Sequence, residues 1–182
     1  MVYGMGKEMN NDVDFAEFIS KQNFTIFVEV GVFEGRSLTH LTNQLVKNNK
    51  NKFKVYGIDL FKDTTDTIMI NKYGKERISF MYEKCIEKLK VSKIDHFVKI
   101  IKMDSIQATK QFFGSIDFVF IDASHKYEDI LRDITAWYPK IRNGGIISGH
   151  DFTWEGVEKA VKEYFGNSYQ TTIKKDIWFK RR

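Results

Sequence analysis

Short runs rich in β-branched and aromatic residues alternate with longer runs in which apolar residues return every three or four positions, from about residue 10 to the end of the chain. The strand-like runs are Phe24 to Val30, Lys54 to Leu60, Phe97 to Lys102, Ile116 to Ile121 and Gly145 to Gly149. They read as short β-branched or aromatic stretches, the pattern of strands buried on both faces. Between them, Asp12 to Lys21, Arg36 to Asn48, Gly74 to Lys90, Ser105 to Phe113, Tyr127 to Ile141 and Trp154 to Phe165 read as helices. In the fifth, Ile130, Ile134 and Trp137 line one face; Pro139 sits near its end, and Asn143-Gly144-Gly145 then turns the chain into the next strand. This alternation predicts a parallel sheet with helices on both faces.

The C-terminal stretch breaks the rhythm. Ser168 to Ile173 and Asp176 to Lys180 are two strand-like runs separated by Lys174 and Lys175, which predicts a hairpin and one antiparallel strand. The expected architecture is therefore an α/β, Rossmann-like, doubly wound and mostly parallel seven-stranded sheet with an antiparallel C-terminal hairpin strand. With no internal repeat, low-complexity segment or linker, residues 1–182 read as one domain, opened by an N-terminal helix within residues 1–22.

Composition narrows the function classes. A chain of 182 residues with 42% hydrophobic positions supports one proper core, not two. No apolar stretch approaches the roughly 20 residues needed to span a bilayer, and Lys7, Glu8, Asp12 and Asp14 interrupt the start of the chain where a signal peptide would be apolar. A cytoplasmic location with no membrane partner is the expectation. The lone Cys85 cannot form an internal disulfide and reads as an inert thiol. The net charge of +5 comes mainly from scattered lysines without an interleaved aromatic stripe, so a nucleic-acid partner is not expected. The group Lys174, Lys175, Lys180, Arg181 and Arg182 reads first as a solvated end, and is the one feature that would favour nucleic acid. A homodimer is compatible with these patterns and not fixed by them.

Five strand ends carry candidate chemistry. The first delivers Val28-Glu29-Val30-Gly31-Val32-Phe33-Glu34-Gly35-Arg36-Ser37 just before a helix. Glycines at such a turn let backbone approach a ligand, although a plain tight turn would look the same. Only two glycines of the dinucleotide fingerprint could be matched, and Glu29 would repel a pyrophosphate. An amino-acid-bearing cofactor with an ammonium and a sulfonium fits better than NAD. The second strand ends in Asp59, at the position where Rossmann-like sheets place an acid on ribose hydroxyls; an ordinary turn aspartate is the alternative. The third ends in Lys102-Met103-Asp104-Ser105, where Asp104 or Ser105 could equally cap the next helix. The fourth and fifth deliver Asp122-Ala123-Ser124-His125-Lys126-Tyr127-Glu128 and His150-Asp151-Phe152. Adjacent strand ends should bring Asp122, His125, His150 and Asp151 to one crevice. Two acids and a histidine there suit a divalent cation, and an imidazole titrating near neutrality suits proton removal.

The ordered set, from Glu29 to about Phe152, resembles class I S-adenosylmethionine-dependent methyltransferases. Glu-x-Gly-x-x-x-Gly-x-Ser looks like the first motif of small-molecule O-methyltransferases and of the methyltransferase domain 24 group, and His125-Lys126-Tyr127-Glu128 is similar to a His-Ser-Tyr-Glu stretch in that group. The resemblance implies the class I methyltransferase fold and S-adenosylmethionine as cofactor, with S-adenosylhomocysteine as product. It implies cofactor contacts from Glu29, Gly31, Val32, Phe33, Gly35, Ser37, Asp59, Leu60, Asp104, Ser105 and Asp122, with Asp104 on the adenine amino group. It also implies a Mg2+ or Mn2+ site at Asp122, His150 and Asp151, where His150 departs from the usual acid. Catalytic roles fall to Asp122 and to His125, which occupies the offset of the lysine base in catechol-type enzymes. Helix capping or substrate orientation are the other roles open to His125. Residues 61–80, rich in polar and turn residues, would then cover the cofactor and shape the acceptor pocket, or else form a surface loop. The expected function is O-methylation of a small hydroxylated acceptor, such as a sugar or polyhydroxylated metabolite. The competing readings are a nucleic-acid or cap methyltransferase, a non-catalytic module of the same fold, and an NAD-dependent oxidoreductase.

Overall fold

A computed structural model describes residue 9, residues 12–48, 52–62, 70–71, 73–112 and 115–182. Its strands are β1 (Ile26–Val30), β2 (Lys54–Asp59), β3 (Val98–Lys102), β4 (Ile116–Ile121), β5 (Ile141–Gly149), β6 (Gln170–Thr171) and β7 (Trp178–Arg181). The helices are α1 (Asp12–Ser20), α2 (Arg36–Lys47), α3 (Lys75–Ser79), α4 (Met81–Val91), α5 (Ser105–Thr109), α6 (Tyr127–Trp137) and α7 (Glu155–Phe165). The sheet order is β3-β2-β1-β4-β5-β7-β6. Strands β1 to β5 run parallel, while β7 pairs antiparallel with both β5 and β6. This is the expected Rossmann-like, doubly wound sheet of seven strands.

Alternation along the central strands explains the two helical layers. Phe27 and Phe118 face a core built with α1, α2 and α4, while Val28 and Val119 face a second core built with α6 and α7. All six residues of β4 are buried, as a central parallel strand requires. At the amino ends of the strands, Asp117 accepts from the Thr25 and Ile26 amides, both at 2.8 Å, and pairs with Arg142, tying β1, β4 and β5 together away from the crevice.

Several boundaries differ from the sequence pattern. The stretch Gly74 to Lys90 is two helices, broken at Phe80, where Ser79 Oγ donates back to the Lys75 carbonyl and weakens the helix end. Helix α5 is shorter than Ser105 to Phe113, as Phe112 swings in to pack on Tyr56 and Trp137. Phe113 itself lies outside the described residues, as do residues 1–8, 10 and 11 of the N-terminal region and residues 63–69 and 72 of the 61–80 region. Helix α6 stops at Trp137 because Pro139 lacks an amide donor, and a single 3-10 turn at Tyr138–Lys140 replaces its expected end. Strand β5 begins at Ile141, not Gly145. The Asn143-Gly144-Gly145 run sits inside it as an irregularity, with Gly144 at φ +83° and the register against β4 shifting there. In the terminal hairpin β6 keeps only two residues, and Lys175 N–H closes the turn on the Thr172 carbonyl at 2.9 Å. Arg181 and Arg182 donate to the chain's own carbonyls at Gly144, Pro139 and Ile141, so two of the five terminal cations hold this hairpin in place.

Candidate active site

The glycine turn after β1 is built by contacts from both neighbouring strands. Gly31 has φ +87°, and a methyl group on it would sit 2.1 Å from the Asp122 carbonyl oxygen. Backbone of β1 and β4 can therefore meet there only without a side chain. Gly35, at φ +72°, precedes α2 and lies against Cys85 Sγ, whose thiol is pushed up to about 12 by burial. Asp59 Oδ2 accepts from the Val32 and Phe33 amides at 2.8 and 2.9 Å, and its Oδ1 accepts from the Phe61 amide at 2.8 Å. Thus the acid at the β2 end shapes the first loop, and the one lone pair left over, on Oδ1, is what it offers a ligand.

Strain marks the same end of the sheet. Among the described non-glycine residues with left-handed backbone, Phe33 (φ +50°), Phe61 (+46°) and Asp151 (+52°) sit just beyond β1, β2 and β5. Such conformations are costly for an L-residue and persist only where surrounding contacts impose them.

Glu29 and Ser37 brace the loop from beneath. Glu29 is 3% exposed, and Ser37 Oγ donates to its Oε1 at 2.6 Å. Burial pushes the Glu29 carboxyl up to about 8, against the pull of Ser37 and the Leu38 amide. The folded chain thus keeps a proton that the unfolded chain loses near the ordinary carboxylate value, so stability falls as pH rises from there to about 8. Glu29→Gln keeps the acceptor for Ser37 and removes the titration. The fall in melting temperature between pH 5 and pH 8.5 is expected to be several degrees smaller in this variant, on the scale of ~2–4 °C per kcal/mol for a chain of this size. Parallel declines in the two proteins would contradict the buried, proton-holding carboxyl.

At the β3 end, Asp104 caps α5. Its Oδ1 accepts from the Ile106 and Gln107 amides at 3.0 and 3.2 Å, and Arg132 lies 3.9 Å from Oδ2. Ser105 Oγ accepts from Trp137 Nε1 at 2.8 Å. The capping role left open by sequence is the one Asp104 fills in this structure. Leu60, 41% exposed, leaves apolar surface next to this end.

Across β4 and β5 the chemical residues converge. His125 Nε2 lies 2.7 Å from Asp151 Oδ2, and His150 Nδ1 lies 3.2 Å from the same oxygen. The hydrogen bond to Asp151 raises the His125 pKa above its ordinary value, and the same two histidines hold the Asp151 carboxyl well below the usual carboxylate range. One ligand-capable atom from each of Asp122, His125 and Asp151 lies within 4.8 Å of the other two. The compact trio is therefore Asp122, His125 and Asp151; His150, expected from sequence as the ligand, stands beside it and contacts Asp151. His125 does not cap α6; Lys126 N–H is met instead by Ser124 Oγ at 3.2 Å.

Two neighbours of this trio escaped the sequence reading. Gly156 lets α7 dock on the start of α6, for a methyl there would lie 2.3 Å from the His125 carbonyl oxygen. Trp154 stacks on the His125 ring, centroids 4.5 Å apart at 26°. The signal was the Trp154-Glu155-Gly156 run three residues past Asp151, but its meaning depends on how closely two helix starts approach. A third group joins the glycine loop to the 61–80 region: Arg77 pairs with both oxygens of Glu34 at 2.6 Å, and Tyr73 packs on Phe33 at 5.0 Å.

Residues 28–152, well over half of the chain, match the family described as Methyltransferase domain. The chain belongs to this family. Among curated proteins, an uncharacterized protein, R132, of Acanthamoeba polyphaga mimivirus is 25% identical over 146 residues, covering 76% of this chain and 56% of that protein. The chain thus spans little more than half the length of that relative. Among solved structures, the O-methyltransferase NovP matches with a TM-score of 0.75 at 16% identity, covering 93% of this chain and 78% of its own. CalS11, a TDP-rhamnose 3'-O-methyltransferase of calicheamicin biosynthesis, has a TM-score of 0.66 at 14% identity, with 93% and 76% covered. An O-methyltransferase from Bacillus cereus, solved in complex with SAH, has a TM-score of 0.66 at 12% identity, with 94% and 80% covered. At these identities the likeness is one of fold, the class I methyltransferase fold.

The charge of the methyltransferase crevice separates two cofactor classes. A pyrophosphate needs free amides at the glycine loop, and here Asp59 consumes those of Val32 and Phe33. The strand ends instead supply Asp59, Asp104 and Asp122, a setting that suits an ammonium and a sulfonium. The residues present fit S-adenosylmethionine and do not fit NAD. Among the described residues, no helix is long and apolar enough to cross a membrane.

Proposed function

We propose that the chain is an S-adenosylmethionine-dependent O-methyltransferase acting on a small hydroxylated acceptor, a sugar or another polyhydroxylated molecule. The observation that carries this is the junction of Gly31 with Asp122, whose carbonyl oxygen leaves no room for a side chain on the glycine. The cofactor turn and the residues able to move a proton thereby share one crevice. Support for a sugar-like acceptor comes from CalS11, and support for the cofactor from family membership and the SAH-bound relative of the same fold.

S-adenosylmethionine, when bound, supplies a methyl group already activated on a sulfonium. Gly31 and Gly35 would admit its methionine end, Asp59 would accept from one ribose hydroxyl, and Asp104, Ser105 and Leu60 would border the adenine. His125 would take the acceptor hydroxyl proton. Asp151 accepting from Nε2–H leaves Nδ1 as the basic nitrogen and makes the ring a stronger base, the role a carboxylate plays behind a catalytic histidine. Most of the remaining work is holding acceptor and methyl in line and keeping water out.

A divalent cation is the second reading, favoured by the proximity of Asp122, His125 and Asp151. Two carboxylates and an imidazole suit Mn2+ or Mg2+, and such an ion would lower the pKa of a hydroxyl bound to it. The 2.7 Å contact of His125 with Asp151 would have to open to admit it. Transfer of labelled methyl from S-adenosylmethionine to a panel of sugars and phenols tests the proposal; methylation of none, with RNA methylated instead, would overturn it. EDTA is expected to leave the rate unchanged if the His125–Asp151 pair acts alone. Loss of activity restored by Mn2+ or Mg2+ would establish the second reading in its place.

A further inference from the structure

Of the three tryptophans, Trp137 and Trp178 are fully buried, whereas Trp154 is 47% exposed beside His125. Its position is imposed by the residues that carry the chemistry. Trp154 N–H donates to the Asp151 carbonyl at 2.9 Å, closing the tight turn that left-handed Asp151 opens. The indole then lies along the His125 imidazole. Trp154 is also the N-cap of α7 and makes no side-chain cap bond. Serine, threonine, asparagine or aspartate would serve that helix better, and an indole half in water gains little from burial. A residue that is locally unfavourable on two counts, beside a candidate base, marks a site where binding has overridden stability.

Resting on the proposed function, we infer that Trp154 is the acceptor platform, so that the acceptor is a ring compound. Its flat face lies beside the His125 ring, on the part of the indole that the offset imidazole leaves uncovered, so that one of its hydroxyls reaches His125. Pyranose C–H groups and an aryl π face share this chemistry, since both pack on the electron-rich face of an indole. Contact with the ring, remote from the reacting oxygen, supplies the binding that holds that oxygen in line. A linear polyol has hydroxyls but no face and is not held.

Calorimetric titration of the S-adenosylhomocysteine-loaded protein with methyl α-L-rhamnopyranoside, catechol and glycerol tests this. One of the two ring probes is expected to bind and glycerol is not, the binding probe telling a sugar-type from an aryl-type acceptor. Trp154→Ala should weaken that probe about tenfold or more and Trp154→Phe by no more than about threefold, with S-adenosylhomocysteine affinity the same in all three proteins. Equal affinity of the ring probe for Trp154→Ala and the wild type would overturn the inference. So would glycerol binding as tightly as the ring probe, or neither ring probe binding to the loaded protein. Failure of S-adenosylhomocysteine to bind the wild type, read before any acceptor is added, would instead bring down the proposed function beneath it.

Discussion

Gly31→Ala is expected to abolish S-adenosylhomocysteine binding and to lower the melting temperature by about 5 °C or more. The added methyl would meet the Asp122 carbonyl oxygen at 2.1 Å, its carbon at 2.5 Å and the Ala123 Cα at 2.6 Å. All three are backbone atoms, so relief requires moving the ends of β1 and β4 apart. A left-handed backbone adds roughly 1–2 kcal/mol for any residue with a Cβ, and together these effects reach about 2 kcal/mol or more, hence the shift in melting temperature. Gly35→Ala is the informative contrast. Its nearest obstacle is Cys85 Sγ at 2.8 Å, the end of a side chain, so binding should weaken without being lost. Calorimetry and thermal unfolding of the two variants separate the cases. Full affinity in Gly31→Ala would mean that the ligand does not use this turn.

His125→Ala should cut methyl transfer about 100-fold or more while leaving cofactor affinity intact. The imidazole is bonded to Asp151 and stacked with Trp154, and among the described residues it makes no hydrogen bond to the glycine turn. Its removal takes away one of the two histidine contacts to Asp151 and leaves that of His150 at 3.2 Å, so the β5 end should keep its shape. The loss follows whether His125 acts as base or as ligand; chelation tells these apart. An unchanged turnover would remove His125 from the chemistry.

The sheet was legible because central parallel strands must be apolar on both faces, which makes Ile116 to Ile121 hard to read otherwise. The boundaries that shifted depend on information from other strands. Gly144 and Gly145 read as a turn, yet pairing of Ile141 with Ile116 carries β5 through them. The order of strand-end motifs exposed the crevice, but not how each acid is used within it. Asp59 meets loop amides supplied by a different strand, and Asp104 turns back onto its own helix. His125 replaces His150 in the compact trio because the left-handed turn at Asp151 brings its carboxylate to His125 as well as to its neighbour. The run from Trp154 to Gly156, just past Asp151, marked the place but not the use of either residue. Their roles arise only when α7 docks against the start of α6.

Calorimetric titration of the wild-type chain with S-adenosylhomocysteine and, in parallel, with NAD bears most directly on the claim that an acidic crevice beside Gly31 takes a sulfonium cofactor. Saturable one-to-one binding of S-adenosylhomocysteine and no heat with NAD is the expected result. Binding of NAD, or no binding of S-adenosylhomocysteine by folded protein, would contradict it.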